Sequence, residues 1–420
     1  MIFTDLMKQS RQRKKWDNLM TVMKLDGFYL VEDKKITNGH ILKIGIPANS
    51  SFKEFEKKKE AFQDRFKGLV EMEKIRFTSL IQMKVINKDI GNYEFAPVLS
   101  KSNKIYVGKE FDDSDYFIDL NKDPHILIAG VTGTGKSYLL ATMLTNLVCF
   151  HSKSYEIYLC QTAKRDVDYL KDCKGVKGAF YTAEETTAVL EKALKEMDRR
   201  YKLFSKYKIK GGIDGFNEVS INKLKRKLYI FEEISLYMPD ETDTEEERAA
   251  KGQVWTRVWK IVKLGREAGI HFIGLTQRTT VANLGGSGEI KSQLCRITFR
   301  QATELDSRNC IDCELAKDLK ERECYVLSTD GLKLIKAPST DKKMILLKKF
   351  VPEIEVLEKD SLEEIDLNEL EVEENNEEIS IEDLVVESKN EEFGKLTLVK
   401  TESKKKKPGR PKKGAKKIED

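Results

Sequence analysis

Residues 125–147 read HILIAGVTGTGKSYLLATMLTNL, and this stretch decides the fold. An apolar strand, His125–Ala129, runs into Gly130, Val131, Thr132, Gly133, Thr134, Gly135, Lys136 and Ser137, a full match to G-x-x-x-x-G-K-[ST]. The glycines let the backbone wrap closely around phosphates, so that successive N–H groups point inward. Lys136 is expected to reach the β- and γ-phosphates of a bound nucleotide, and the Ser137 hydroxyl to ligate Mg²⁺. The helix that begins near Lys136 aims its positive end at the same anion. A strand directly before the loop and a helix directly after it separate this match from a chance pattern.

Two further strand ends fit the same chemistry. LYIFEE (228–233) is an apolar run closed by two acids. Phosphoryl transfer needs one group on the metal and another to orient the attacking water. Adjacent residues at a strand's end point in different directions, which suits that division. Glu232 is expected to serve Mg²⁺ and Glu233 to polarise the water. GLTQR (274–278) also closes a strand, and Gln277 is placed to sense the γ-phosphate.

Outward from these motifs, residues 96–340 alternate apolar strands with long helices, the pattern of a parallel sheet covered on both faces. The strands expected are His125–Ala129, Glu156–Cys160, Leu228–Phe231, His271–Thr276, Arg296–Arg300 and Tyr325–Ser328. A long helix is expected over Ala183–Phe204, opened by a Thr182/Glu185 capping box. Residues 1–95 form a small α+β module for docking or assembly. Within it the reading gives strands at 42–47, 79–86 and 93–98 and one helix over 51–73, with Phe52, Phe55, Phe62, Phe66 and Val70 near helical spacing.

From residue 341 the composition changes. Residues 353–392 are dominated by acids, and 395–417 are basic, so this tail is expected to be disordered. The net charge of +5 conceals that asymmetry. The segment around Lys407, Arg410, Lys412 and Lys413 resembles an AT-hook, whose Arg-Pro lies in a narrow minor groove. A generic polyanion-binding tail is an equal alternative. Seven scattered cysteines do not make a disulfide framework, which points to a reducing, cytoplasmic setting. Cys310 and Cys313 form a single knuckle, too little for a structural zinc site. No apolar run is long enough to span a bilayer, so membrane association is expected to come through a partner.

Taken in order, PHILIAGVTGTGKS (124–137), AKRDVDYL (163–170), EMDRRYKLF (196–204), LYIFEE (228–233), KLGREAGIHFIGLTQR (263–278) and RITF with LDSR (296–308) resemble the FtsK/SpoIIIE family of DNA translocases, within the HerA–FtsK group. The resemblance implies a RecA-like P-loop motor that hydrolyses ATP with Mg²⁺, assembled as a ring, usually a hexamer, around double-stranded DNA. It implies ATP between subunits and a trans-acting arginine, for which Arg266 is the best candidate and a salt bridge the equal alternative. Arg308 and Lys164 are further candidates for intersubunit or phosphate contacts. DNA contacts are expected from Arg278 and Lys291, which flank the loop 279–288. Lys223, Lys225, Arg226 and Lys227 form a second patch, for which a solvated face is favoured.

Four departures from the family pattern stand out. Glu232 replaces the usual Asp. Thr279 stands where a Pro usually follows the Gln-Arg pair. Thr162-Ala163-Lys164 replaces Asp-Pro-Lys. The membrane segments and winged-helix reader of the large chromosome translocases are missing. A compact translocase of a conjugative element, plasmid or phage fits better, with a relaxase or a membrane transport channel as partner. The alternatives are a packaging or single-strand ATPase, and a nucleotide switch that docks a DNA complex without moving it.

Overall fold

Alternating apolar residues build the first of two sheets. The computed structural model describes residues 2–161, 165–239, 241–277, 279 and 288–351. Strands β1 (Tyr29–Ile36), β2 (Gly39–Gly45), β3 (Leu69–Ile75) and β4 (Leu80–Ile86) form an antiparallel sheet in the order β1-β2-β4-β3. One face buries Leu42, Ile44, Val70, Ile81, Met83 and Val85 beneath α1 (Ile2–Met23), α2 (Phe52–Glu56) and α3 (Lys59–Phe66). Trp16 and Met20 of α1 and the ring column Phe28–Phe55–Phe62, at 5.0 Å steps, complete this core.

The single helix expected over 51–73 is therefore corrected to two short helices and a strand. Lys67 turns left-handed at φ 52°, and Gly68 passes so close to Ile86 that a Cβ would lie 2.2 Å from its carbonyl oxygen. The helical spacing of Val70 is coincidental, since it belongs to β3. The strand expected at 93–98 is also corrected. Only a lone bridge, Glu94 to Ser339, forms there.

The second sheet has ten strands. They are β5 (Lys104–Glu110), β6 (Asp115–Asp119), β7 (Ile126–Ala129), β8 (Tyr155–Cys160), β9 (Val176–Phe180), β10 (Arg226–Phe231), β11 (Ile270–Thr276), β12 (Cys295–Thr298), β13 (Glu323–Ser328) and β14 (Gly331–Lys336). Their order is β6-β5-β14-β13-β12-β7-β11-β10-β8-β9. The six strands from β12 to β9 are parallel, and the four beyond β12 are antiparallel. The fully parallel sheet read from the sequence is thus a mixed one with a parallel centre. Every residue of β7 and β11 is buried, as expected for strands covered on both faces.

The helices joining these strands are α4 (Lys136–His151), α5 (Ala183–Lys206), α6 (Gly212–Val219), α7 (Glu245–Ala268), α8 (Gly288–Ser292), α9 (Glu304–Ile311) and α10 (Ile345–Lys348). Alternation splits the core. Ile126, Ile128, Leu228, Ile230, Ile273 and Leu275 meet α4 on one face. Leu127, Tyr229, Phe231 and Phe272 meet α5 and α7 on the other. Both long helices open with full capping boxes, Thr182/Glu185 and Thr244/Glu247.

Arg200 of α5, only 2% exposed, fixes that second face. It donates to Glu196 at 2.6 Å, to the Ala268 carbonyl at 2.7 Å and to the Lys225 carbonyl at 2.8 Å. One guanidinium therefore joins α5 to the end of α7 and the start of β10. Burial works against the Glu196 carboxylate, but hydrogen bonds and charge from Arg199 and Arg200 hold its pKa down to about 2. A carboxyl depressed on folding stabilises above its ordinary range and loses that contribution as pH falls. Arg200→Met is expected to cost about 3 kcal/mol at neutral pH, because it leaves two buried carbonyls without their donor and the half-buried Glu196 carboxylate with Arg199 as its remaining partner. In chemical denaturation the deficit relative to wild type should narrow as pH falls from about 5 towards 2.

Candidate nucleotide site

The chain leaves β7 at Gly130 with φ 145°, and the phosphate loop begins there. Phe299, just past β12, walls the loop. A Cβ on Gly130 would lie 2.9 Å from the Phe299 Cβ, and one on Gly135 would lie 3.3 Å from its ring. The Val131 N–H donates to the Arg300 carbonyl at 3.1 Å, and the Thr134 hydroxyl donates to the Val131 carbonyl at 2.7 Å. Thr132 and Gly133 form the exposed crest, where Gly133 has φ 81° and a Cβ would meet nothing within 4 Å. Gly135 caps α4 at φ 116°, and Lys136 opens the helix.

Lys136 is buried and curls back over its own loop. Its ammonium donates to the carbonyls of Gly130 at 2.6 Å and Val131 at 3.1 Å. Ser137 stands half-buried beside it on the first turn. The loop thus holds a cation over a glycine-lined cradle at a helix N-terminus, and this arrangement suits a polyphosphate.

The parallel ladder carries the other motifs to this end of the sheet. Thr276 of β11 lies opposite Ala129, and Phe231 of β10 lies opposite Gly274. Gln277 is exposed and emerges from β11, between the loop on β7 and the acids on β10. Glu232 and Glu233 are 3% and 5% exposed. Glu232 accepts a hydrogen bond from the Val167 N–H at 2.9 Å, and Glu233 accepts one from the Ser235 hydroxyl at 2.8 Å. The neighbouring Tyr169 hydroxyl pairs with Thr145 of α4 at 2.9 Å, so the segment after β8 links Glu232 to the helix that carries the lysine. The donor set fits Mg²⁺, because the Ser137 hydroxyl and the Glu232 carboxylate are hard oxygen ligands.

The remaining candidates lie elsewhere. Arg266 sits at the end of α7, where the strands begin, on the opposite edge of the sheet from the loop. It is exposed and donates to the Asn121 carbonyl at 2.9 Å. Arg308 pairs with Glu314. Lys291 pairs with Asp312 at 3.2 Å, beside Arg296, so its charge is compensated within the fold. In the 223–227 run, Arg226 is buried against Asp214 and His271, and Lys227 pairs with Glu156 at 2.7 Å. Burial pushes the Cys310 thiol up to about 11. Among the described residues, no group of His, Cys, Asp and Glu is arranged to hold a metal ion. Arg278, Lys164, Lys407, Arg410, Lys412 and Lys413 lie outside the described residues, as does the tail beyond 351. The sequence reading missed Val167, Ser235 and Phe299. Val167 acts through its backbone, which leaves no side-chain signal. Ser235 stands two residues from an acid pair and could have been proposed.

A parallel sheet with a phosphate loop at the exit of one strand and an acid pair at the exit of another defines a P-loop ATPase fold. The chain matches the FtsK/SpoIIIE family model over residues 96–231. It is 30% identical over 269 residues to the DNA translocase FtsK of Clostridium acetobutylicum, covering 57% of this chain and 32% of that protein. It is 32% identical over 223 residues to the DNA translocase SftA of Bacillus subtilis, covering 51% of this chain and 22% of that protein. The chain thus spans at most about a third of these curated relatives. The fold is shared with the conjugation coupling protein TcpA of pCW3, solved as a monomer with ATPγS. That match has a TM-score of 0.56 and 18% identity, covering 81% of this chain and 98% of that one. The EssC ATPases 2 and 3 of Geobacillus thermodenitrificans match with a TM-score of 0.51 and 17% identity, covering 62% of this chain and 50% of that one. No described helix is long and apolar enough to cross a membrane.

The two loop glycines should respond differently to a methyl group. Gly133→Ala meets only the cost of a positive φ, about 1 kcal/mol, or roughly fivefold in affinity for a fluorescent ATP analogue. Gly130→Ala adds the collision with Phe299 and should weaken binding several times further.

Proposed function

We propose that this chain is an ATP-driven motor that moves double-stranded DNA, works as a ring of identical subunits, and serves the transfer or segregation of a mobile element. The observation that carries the reading is the placement of Lys136, Ser137, Gln277, Glu232 and Glu233 on neighbouring strand ends of one parallel ladder. A phosphate grip, a metal ligand, an acid for water and a polar sensor between them are the parts that phosphoryl transfer requires. Two curated translocases that share this region support coupling to DNA. The fold held in common with nearly the whole of a conjugation coupling protein supports the mobile-element setting.

In this reading Lys136 exchanges two loop carbonyls for phosphate oxygens when nucleotide enters. Glu232 and Ser137 would hold Mg²⁺, which would supply positive charge against the phosphates. Glu233, already oriented by Ser235, takes a proton from the attacking water. Gln277 registers the γ-phosphate from the strand between. Arg266 lies too far round its own sheet to serve its own loop, so it acts across a subunit boundary, which requires a ring. Residues 1–95 dock the motor on a relaxase or a transport channel. Residues 96–340 form the motor, and the basic tail beyond adds a contact to DNA.

ATP turnover with and without linear duplex DNA tests this. Duplex DNA should raise turnover severalfold. Glu233→Gln should lower kcat by about a hundredfold while nucleotide still binds. Lys136→Ala should abolish both binding and turnover. Turnover that ignores duplex DNA and answers only to single strands or to a protein partner would contradict the proposal.

A further inference from the structure

Gln161 is the first residue past β8, and its side chain is fully buried. Among the described residues, neither its amide oxygen nor its amide nitrogen has a hydrogen-bond partner. Its backbone is well placed, since its N–H donates to the Phe180 carbonyl at 2.7 Å and continues the β8–β9 ladder. An unpaired buried amide destabilises the fold, because it gives up its bonds to water without replacement. Such groups are rare in folded proteins, and one beside a catalytic site calls for a functional explanation.

The ladder gives its direction. Cys160 lies opposite Phe231, so the next residues, Gln161 and Glu232, are neighbours across about 4.8 Å of strand spacing. Side chains alternate along both strands. Leu159 and Ile230 belong to the core on the α4 side, whereas Cys160 and Phe231 belong to the core on the α5 and α7 side. Gln161 and Glu232 therefore project together towards α4, the helix that begins with Lys136 and Ser137. Val167, which donates to Glu232, belongs to that same core.

We propose that Gln161 is a positioning residue for the metal-bound nucleotide, with its amide bonding the water shell of the cation that Glu232 and Ser137 hold. This rests on the nucleotide reading above. Mg²⁺ gives up its waters reluctantly and keeps several of them when bound, so residues around it must accept hydrogen bonds from that shell. A carboxamide supplies an acceptor without a second buried charge beside Glu232. It can also donate to the carboxylate and fix its orientation, as outer-shell partners of metal ligands do. The resting cost of the unpaired amide is offset when nucleotide and cation arrive together.

Gln161→Met, close in volume and without polar atoms, tests this in the full chain. Three quantities are measured: the thermal midpoint without nucleotide, the affinity for a fluorescent ATP analogue in EDTA, and the Mg²⁺ concentration for half-maximal analogue binding. The midpoint should hold or rise, and the affinity in EDTA should stay at the wild-type value. The Mg²⁺ requirement should increase about tenfold. A Met variant with wild-type Mg²⁺ dependence overturns the proposal while leaving the nucleotide reading intact. So does a lowered midpoint, which would show that the amide supports the resting fold. A wild-type chain that binds no nucleotide, with or without Mg²⁺, overturns the nucleotide reading and this proposal with it.

Discussion

The backbone ladder running from β7 through β11 to β10 sets the distance between the phosphate loop and the acid pair. Each strand is hydrogen-bonded to the next, with Thr276 level with Ala129 and Phe231 level with Gly274. The strands are covered on both faces, so a slip in register would carry buried side chains to the wrong core. The loop and the acids therefore cannot drift apart without unpacking the domain. That rigidity allows separate strand ends to act as one site.

Around this ladder the fold makes polar connections at both edges. At the edge where the strands finish, the Val167 N–H and the Ser235 hydroxyl each hold one acid, and Tyr169 ties the Val167 segment to α4. At the edge where they begin, Arg200 joins α5, α7 and β10, and Arg226 bonds His271, Asn121 and Asp214. Burial, reinforced by the Arg226 charge, keeps His271 well below its ordinary range, and burial alone lowers His125 to about 3. Both imidazoles are neutral in the fold. His271 accepts from Arg226 and donates to the Pro124 carbonyl, which anchors the loop leading into β7. Arg266 bonds Asn121 in the same loop, so that cluster is continuous with the arginine read as a trans finger.

Much of this was legible in the sequence because the relevant signals are local. The central strands are short apolar runs closed by motif residues, and the expected starts and ends fall within two residues of those observed for β7, β8, β10, β11 and β13. The Thr182/Glu185 box marked the start of α5. Strands β5, β6, β9 and β14 were not read. Polar residues interrupt them, as in KIYVGKE and GLKLIK, and their place in the sheet comes from distant partners. In the N-terminal module the aromatic spacing suggested one helix, but the close passage of Gly68 against Ile86 cannot be read from spacing. The motif residues Lys136, Ser137, Glu232, Glu233 and Gln277 stand out by local pattern, and the ladder brings their strand ends to one side of the sheet. The Val167 N–H and the buried strand neighbour Gln161 become visible only once the register is known.

The central claim is that nucleotide turnover moves this chain along duplex DNA. The most direct measurement is displacement of a triplex-forming oligonucleotide from linear duplex DNA by the full chain with ATP and Mg²⁺. The account predicts displacement that needs hydrolysis, slows as the duplex track lengthens, and is lost in Lys136→Ala. Steady ATP turnover on the same DNA with the triplex left in place would contradict it, and would make the chain a nucleotide switch rather than a motor.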